Sequence, residues 1–268
     1  MPRPAAPRHH RSLFLSDLHL GALGCRADLI RDFLEANSAD TIYLVGDILD
    51  IWHPLTLTWG PAQDRIIALL RQRAAEGARL VYLIGNHDAP LRGPQTAPAA
   101  QDLPAELAEA VTHLAADGRR YLVLHGDICD ARLLRWHICT RIGSRIDGLL
   151  RAADRGLRRV RRNLRPEDRS PVEWLLTALN TVLYAGKAHE RRLIALARGN
   201  GHDGVICGHF HVAALHGDHG LIYANCGDWV DSFTAIAEDA EGRLSVLGGR
   251  EALRQAAAQP DLLAEGAA

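Results

Sequence analysis

The stretch 41–50 constrains the fold of this chain more than any other part of the sequence. Residues 41–45 are apolar, aromatic or β-branched, and the run ends abruptly at Gly46 and Asp47. Such a run is typical of a buried strand, and open α/β sheets bind ligands at the carboxyl ends of their strands. We therefore predict that a strand carries the Asp47 carboxylate to a functional site, around which the other elements are arranged.

Four other stretches share this design, in which a β-rich apolar run ends in Asp, Asn or His. The runs lead to Asp17 and His19, to Asn86, His87 and Asp88, to His125, and to His209 and His211. Between the first three runs, apolar residues recur at helical spacing in 27–35 and 63–76, and Gly77 suits the end of the second helix. This β-α-β-α-β order predicts a mainly parallel inner sheet in an α/β fold.

The later part of the chain has the patterns of antiparallel structure. Residues 111–116 and 119–124 are predicted to form a hairpin, because Asp117 and Gly118 between them suit a type I′ turn. Four short alternating segments are typical of the antiparallel edge of a second sheet: 211–216, 220–224, 232–238 and 243–247.

Size and composition are those of an ordinary globular protein. A chain of 268 residues with 47% hydrophobic and 24% charged residues fits a single domain spanning 1–268. Its five cysteines include no CxxC pair, which favours free thiols over a disulfide framework. Residues 1–11 lack the apolar core of a signal peptide, and no run approaches the roughly 18 apolar residues of a membrane span. We expect a cytoplasmic protein, with a peripheral position at the inner membrane as an alternative.

The segment 130–203 differs in character from the rest. Its part 131–169 holds 12 Arg against four acidic residues, an excess of 12 − 4 = 8 positive charges, interleaved with apolar residues at roughly helical spacing. We predict a helical, Arg-rich cap inserted within the domain. Basic amphipathic helices suit an anionic membrane surface or a phosphorylated substrate, although such a face is often merely solvated. Nucleic-acid binding is disfavoured, because no strand module with interleaved aromatic residues is present.

The side chains at the strand ends have the chemistry of metal ligands. Divalent first-row metals accept mixed carboxylate, imidazole and amide-oxygen ligands. Each motif alone is commoner as turn chemistry, but five in this order, each at a strand end, indicate one site. Two metals sharing a bridging carboxylate could clamp a phosphate and activate water. The candidate ligands are Asp17, His19, Asp47, Asn86, His125, His209 and His211.

In order, the patterns Asp-x-His, Gly-Asp, Gly-Asn-His-Asp, His and Gly-His-x-His resemble those of the calcineurin-like metallophosphoesterases. The resemblance implies a four-layer αββα sandwich and two divalent ions, of which Mn²⁺ is favoured over Fe, Zn or Co. It implies that His87 acts on the phosphate as an acid or electrostatic stabiliser, oriented by Asp88. It assigns Asp17, His19, Asp47 and His211 to one metal, and Asp47, Asn86, His125 and His209 to the other.

Within that family, the stretches 43–52, 125–127 and 223–230 are most similar to the UDP-2,3-diacylglucosamine pyrophosphohydrolase-like branch of lipid A biosynthesis. This implies hydrolysis of a pyrophosphate bond with release of UMP, and a cap that accepts acyl chains. That branch has Arg where this chain has His87, and Thr where it has Phe210, so a general phosphodiesterase or nucleotide phosphatase is the alternative. A metal-stabilised scaffold that binds partners without catalysis is a third hypothesis.

Residues next to the ligands have predicted supporting roles. Asp127 and Asp228 are predicted to orient ligand histidines, which commonly need a hydrogen-bond acceptor on the second ring nitrogen. Asp50 and Trp52 follow the proposed bridge and either line the pocket or pack the loop. The sequence does not predict an oligomeric state.

Overall fold

The computed structural model describes residues 7–22, 25–50, 59–92, 103–129 and 188–251. Trp52 and most of the predicted Arg-rich cap lie outside these ranges. Among the described residues, no helix combines the length and apolar character needed to cross a membrane.

Eleven strands and three longer helices are found among the described residues. The strands are β1 (Arg8–Leu15), β2 (Asn37–Val45), β3 (Arg79–Leu83), β4 (Glu106–Ala108), β5 (Ala110–Leu114), β6 (Arg120–Leu124), β7 (Gly204–Cys207), β8 (Ala214–His216), β9 (Ile222–Asn225), β10 (Thr234–Glu238) and β11 (Leu244–Gly248). The helices are α1 (Ala27–Ala36), α2 (Pro61–Ala75) and α3 (Ala188–Gly199).

The strands form two sheets. The first has the order β11-β10-β1-β2-β3-β4, in which β1 to β4 are parallel and β10 and β11 are antiparallel additions. The second has the order β5-β6-β7-β9-β8, with β6, β7 and β9 parallel and an antiparallel strand at each edge. The predicted parallel inner sheet is confirmed.

Alternate residues of the strands pack into different cores, which produces four layers. In β1, Leu13 packs towards α1 and α2, whereas Phe14 packs between the two sheets. In β6, Val123 joins the core between the sheets. Leu122, on the opposite face, packs in the core that includes Leu193 of α3. Because successive strand side chains point to opposite faces, each sheet is covered on both sides. The predicted αββα sandwich is confirmed.

Both predicted helices of the first half are present, and local sequence explains their ends. Helix α2 begins with Pro61, whose missing N–H costs nothing in the first turn, and the Gly60 N–H donates to Gln63 Oε1 at 3.1 Å. Gly77 follows the helix with φ +106°, the left-handed conformation that glycine adopts without steric cost.

Two of the strand predictions need correction. Strands β10 and β11 were predicted in the second sheet, but β10 pairs with β1 in the first. All five β10 residues are buried, so nothing in the local pattern distinguishes the two sheets. The hairpin of β5 and β6 is confirmed, but its turn is not type I′, because only Gly118 has a positive φ. The Gly118 N–H donates to Ala115 O at 3.0 Å. Residues 115–118 therefore form a type I turn that ends in a left-handed glycine.

Helix α3 lies inside the segment predicted as a cap. Its residues Leu193, Ile194 and Ala197 pack on the second sheet and form the fourth layer. The segment from 130 to 187 lies outside the described residues, so its helical and capping character stays a prediction.

Candidate metal centre

All five predicted loops lie at the same edge of the sandwich. Asp17, Asp47 and Asn86 follow the parallel strands β1, β2 and β3 of the first sheet. His125 and His209 follow the parallel strands β6 and β7 of the second. Because the carboxyl ends of parallel strands meet at one sheet edge, residues up to 192 positions apart in sequence come into contact here.

A first group of donor atoms is formed by Asp17, His19 and His211. The Nε2 atoms of the two histidines lie 3.5 Å apart, and Asp17 Oδ1 is 3.2 Å from His211 Nε2 and 3.8 Å from His19 Nε2. Asp17 Oδ1 is buried and accepts no hydrogen bond from the described residues. Two imidazole nitrogens and a carboxylate oxygen converging in this way fit a divalent cation.

A second group is formed by Asp47, Asn86, His125 and His209. His125 Nε2 lies 3.4 Å from Asp47 Oδ2 and 3.3 Å from Asn86 Oδ1, and the His209 ring centroid is 5.1 Å from that of His125. His125 Nδ1 donates to Val45 O at 3.0 Å, which leaves Nε2 as the nitrogen available to a metal. This oxygen, nitrogen and amide mixture also fits a divalent ion.

The backbone at the candidate ligands is unusual. Left-handed φ angles between 46° and 79° occur at Asp17, His19, Asp47, His209 and His211. Non-glycine residues adopt this region rarely, at a cost of about 1–3 kcal/mol each, and such residues concentrate at functional sites. Tertiary hydrogen bonds maintain the conformation, including those from the Asp17 N–H to Gly46 O and from the His19 N–H to Asp47 O.

Two glycines allow the loops to approach one another. A Cβ on Gly85 would lie 2.2 Å from Asp47 Oδ1, and a Cβ on Gly208 would lie 1.7 Å from Ser16 Oγ and 2.5 Å from Asp17 Oδ2. Any side chain at these positions would displace a candidate ligand, so the glycines are needed for close approach rather than for turn geometry.

The electrostatics keep the two buried aspartates ionised. Burial raises the pKa of Asp47. His125 and His87 lower this pKa by more than burial raises it, so the pKa falls well below the ordinary value. Burial also raises the pKa of Asp17, and His211 and His125 reverse the shift. Two anionic carboxylates among imidazoles are the charge pattern that a pair of cations requires.

His87 is held beside the proposed bridge by two acidic residues. The backbone N–H of His87 donates to Asp47 Oδ1 at 2.7 Å, and the ring atom Nδ1 lies 3.3 Å from Asp50 Oδ1. Burial lowers the pKa of His87, but Asp47 and Asp50 raise it, to about 9. The sequence left Asp50 open as a pocket residue or a loop-packing residue, and the structure places its carboxylate against the His87 ring.

Asp88 has a different contact from the one predicted. Its buried carboxylate accepts hydrogen bonds from the N–H groups of Ile48 (3.1 Å) and Leu49 (2.9 Å) and from the Tyr82 hydroxyl (2.9 Å). The side chain thus supports the loop after Asp47 instead of the His87 ring. Burial and the nearby Asp47 raise the pKa of Asp88 to about 7.

The predicted orienting aspartates differ in outcome. Asp228 Oδ2 lies 2.9 Å from His211 Nδ1, as predicted. Asp127 lies 3.9 Å from Arg92, and the backbone oxygen of Val45 occupies the orienting position on His125. A backbone oxygen carries no signal in the sequence, so this partner could not be predicted.

An αββα sandwich with acidic and imidazole donors at its strand ends defines a class of phosphoesterase that depends on divalent metal ions. The chain belongs to the calcineurin-like phosphoesterase family, whose sequence model matches residues 10–213. This family is a class of hydrolases, and the resemblance seen in the sequence motifs is confirmed.

Two curated relatives are both named UDP-2,3-diacylglucosamine hydrolase. The one from Tolumonas auensis is 35% identical over 120 residues, covering 43% of this chain and 46% of the relative. The one from Ralstonia nicotianae is 33% identical over 134 residues, covering 48% of each. The chain spans about half the length of these curated relatives.

Solved structures with a similar arrangement are more distant. Yfce, a phosphoesterase from E. coli, is 13% identical with a TM-score of 0.43, covering 88% of this chain and 97% of the other. A novel archaeal phosphodiesterase is 12% identical with a TM-score of 0.43, covering 88% and 98%.

Proposed function

We propose that this chain is a phosphohydrolase that uses two divalent metal ions, with Mn²⁺ favoured over Fe, Zn or Co. Its proposed substrate is UDP-2,3-diacylglucosamine or a similar lipid-linked nucleotide sugar, and hydrolysis of the pyrophosphate bond would release UMP. The observation that carries the proposal is that two groups of donor atoms lie together at one edge of the sandwich, with Asp47 between them.

The chain offers four ligands to each ion. Divalent ions bound there would neutralise phosphate charge and lower the pKa of an attacking water. The proposed ligands of the first ion are Asp17, His19, Asp47 and His211, and those of the second are Asp47, Asn86, His125 and His209.

His87 is the proposed catalytic residue supplied by the protein. Its ring stands 4.8 Å from that of His19, at the edge of the donor groups, with Nδ1 directed at Asp50. Nε2 is then the atom that can donate to a phosphate oxygen or to the leaving group. Asp88 contributes by fixing the loop that presents Asp47.

The substrate proposal is supported by the names of the partial relatives and by the character of the segment 130–203. Within this segment, α3 returns to the sandwich, and the Arg-rich part before it is the proposed cap and the proposed contact with an anionic membrane surface. His87 and Phe210 favour the alternative, a general phosphodiesterase or nucleotide phosphatase, because the resembling lipid enzymes have Arg and Thr there.

An activity comparison tests the proposal. The purified chain with Mn²⁺ is incubated with UDP-2,3-diacylglucosamine in mixed micelles and, separately, with a generic aryl phosphodiester. We expect UMP release at a rate far above diester cleavage, and a fall of roughly 10²–10³ in both rates in His87→Ala. Diester cleavage alone would retain the two-metal mechanism and reject the lipid substrate. No cleavage of either compound with Mn²⁺, Fe²⁺, Zn²⁺ or Co²⁺ would favour the scaffold hypothesis.

Membrane contact needs a separate measurement. Flotation with vesicles containing anionic lipid is expected to recover the chain, and charge reversal of two or three Arg within 155–165 is expected to reduce recovery. Equal recovery with neutral vesicles would argue against electrostatic contact.

A further inference from the structure

Arg92 binds the backbone of the loop that carries Asn86. It is the last residue of a short 3₁₀ turn, Ala89–Arg92, which follows that loop in the chain. Its Nη1 group donates to Gly85 O at 3.3 Å, and its Nη2 group donates to Ile84 O at 3.3 Å. Because a peptide unit is planar, a bond that holds the Gly85 carbonyl also fixes the direction in which the chain enters Asn86.

Glu109 fixes the orientation of the Arg92 guanidinium group. Arg92 Nε donates to Glu109 Oε1 at 2.7 Å, and Nη2 donates to Glu109 Oε2 at 2.8 Å. Glu109 stands between β4 of the first sheet and β5 of the second, where the chain crosses from one sheet to the other. Two parallel bonds between a planar guanidinium group and one carboxylate define a single orientation, so the bonds to the loop start from a fixed point.

The same guanidinium group also faces the loop that carries His125. Asp127 Oδ2 lies 3.9 Å from Arg92 Nη2, and Asp127 follows His125 by two residues. Arg92 therefore contacts the loop after β3 and the loop after β6. The donor atoms of these two loops are neighbours, because His125 Nε2 lies 3.3 Å from Asn86 Oδ1. Both side chains are proposed ligands of the second ion.

We propose that Arg92 is a positioning residue of the second metal ion, which it serves by holding the Asn86 loop against the His125 loop. Arg92 itself is not a ligand, because its guanidinium group stays protonated and has no acceptor atom. The other donor group, with Asp17 and His19 after β1, lies on loops that these bonds do not hold. The inference rests on the proposed function, because the second ion is part of that proposal.

Metal affinity tests the proposal without a measurement of activity. The full metal-free chain is titrated with Mn²⁺, and free Mn²⁺ is followed by electron paramagnetic resonance. We expect two ions per chain in the wild type. In Arg92→Ala, the affinity for one ion should fall by about 10- to 100-fold, the usual cost of losing a residue that orients metal ligands. Arg92→Lys should not restore it, because one ammonium group cannot reproduce the fork.

Arg79→Ala is the matched control. Arg79 makes the same kind of two-bond contact, with Glu106 of β4, at 2.8 and 2.6 Å. It is the first residue of β3, whereas the Asn86 loop follows the last. This variant loses an ion pair of the same type and should keep both Mn²⁺ affinities. An equal fall in affinity in Arg79→Ala would assign the effect to lost stability and overturn the proposal.

Double variants identify the ion that is affected. In Asn86→Ala, which already lacks a ligand of the second ion, adding Arg92→Ala should change the remaining affinity little. In His19→Ala, which lacks a ligand of the first ion, adding Arg92→Ala should still cost about 10- to 100-fold. Two unchanged affinities in Arg92→Ala would overturn this inference and leave the proposed function intact. A wild type that binds fewer than two ions would overturn both.

Discussion

At the scale of single residues, Asp47 has the most connected position in the candidate centre. Its Oδ1 accepts the His87 N–H, and its Oδ2 lies 3.4 Å from His125 Nε2. Its side chain is almost fully buried, and its backbone has a φ of 53°. An Asp47 oxygen also lies within 4.8 Å of donor atoms of Asp17, from the first group, and of His125, from the second, which supports its proposed role as the bridge between two ions.

Asp47→Ala is expected to abolish activity and remove both metals, because each ion loses a ligand. His87→Ala should keep metal content near normal and slow turnover by roughly 10²–10³, the size of losing one transition-state donor. Metal analysis and steady-state kinetics on the same preparations check the division. Equal metal loss in both variants would show that these roles are wrongly assigned.

Asp50→Asn tests the residue that orients His87. Because Asn keeps the size of the side chain but removes its charge, metal content should be unchanged while the rate falls by about 10- to 100-fold, as for other orienting partners of histidines. Asp40→Asn serves as the control, since Asp40 is an exposed aspartate paired with His9. An unchanged rate in Asp50→Asn would remove Asp50 from the mechanism.

At the scale of elements, the site depends on how closely the β7 loop approaches the β1 loop. The His209 N–H donates to Asp17 Oδ2 at 2.9 Å, and the Gly208 N–H donates to His125 O at 3.0 Å. Two loops from different sheets are thereby held in direct contact at a glycine.

Gly208→Ala is expected to destabilise the fold by about 1–3 kcal/mol, because its Cβ would overlap Ser16 and Asp17. Metal affinity should fall with it, since Asp17 must move. Urea unfolding and metal titration measure the two effects. Gly199→Ala is the matched control, because a Cβ there meets nothing within 4 Å and φ is not positive. Similar unfolding midpoints for the two variants would contradict the packing argument.

At the scale of the whole molecule, a buried polar chain connects the two sheets away from the candidate centre. Tyr43 of the first sheet contacts His113 Nδ1 at 3.0 Å, and His113 Nε2 of the second sheet donates to Glu238 Oε2 at 2.9 Å. The other Glu238 oxygen accepts the Ala116 N–H at 2.8 Å. These bonds fix how the sheets face each other.

Glu238 should make the stability of the sandwich depend on acid. Burial raises its pKa, but the bonds from His113 and the Ala116 N–H lower it below the ordinary 4.5. The stabilisation is therefore present above pH 4.5 and is lost as pH falls through the lower, folded-state value. In metal-free urea unfolding, the wild type should lose more stability between about pH 6 and about pH 3.5 than Glu238→Gln. Parallel losses would assign the acid dependence to other carboxylates.

The sequence by itself determined where individual helices and strands form. Period-two and period-3.6 apolar patterns encode burial along a short segment, so α1, α2 and the strands ending at Asp17, Asp47 and Asn86 were predictable. The order of those motifs resembles that of one family, the resemblance implied the αββα layering, and both are confirmed. The seven-ligand set has the geometry expected of it and stays a prediction.

Only the tertiary structure decided which distant groups meet. A fully buried strand such as β10 has no pattern that selects its sheet, so its pairing with β1 depends on packing of the whole sandwich. In the same way, Asp50 instead of Asp88 contacts the His87 ring. The buried Glu190 carboxylate meets His216 and His219, although their segments share no motif. The periodicity of apolar side chains indicates which residues of a segment are buried. Which elements contact one another depends on the free energy of packing all the layers together, and the sequence of a short segment does not determine that free energy.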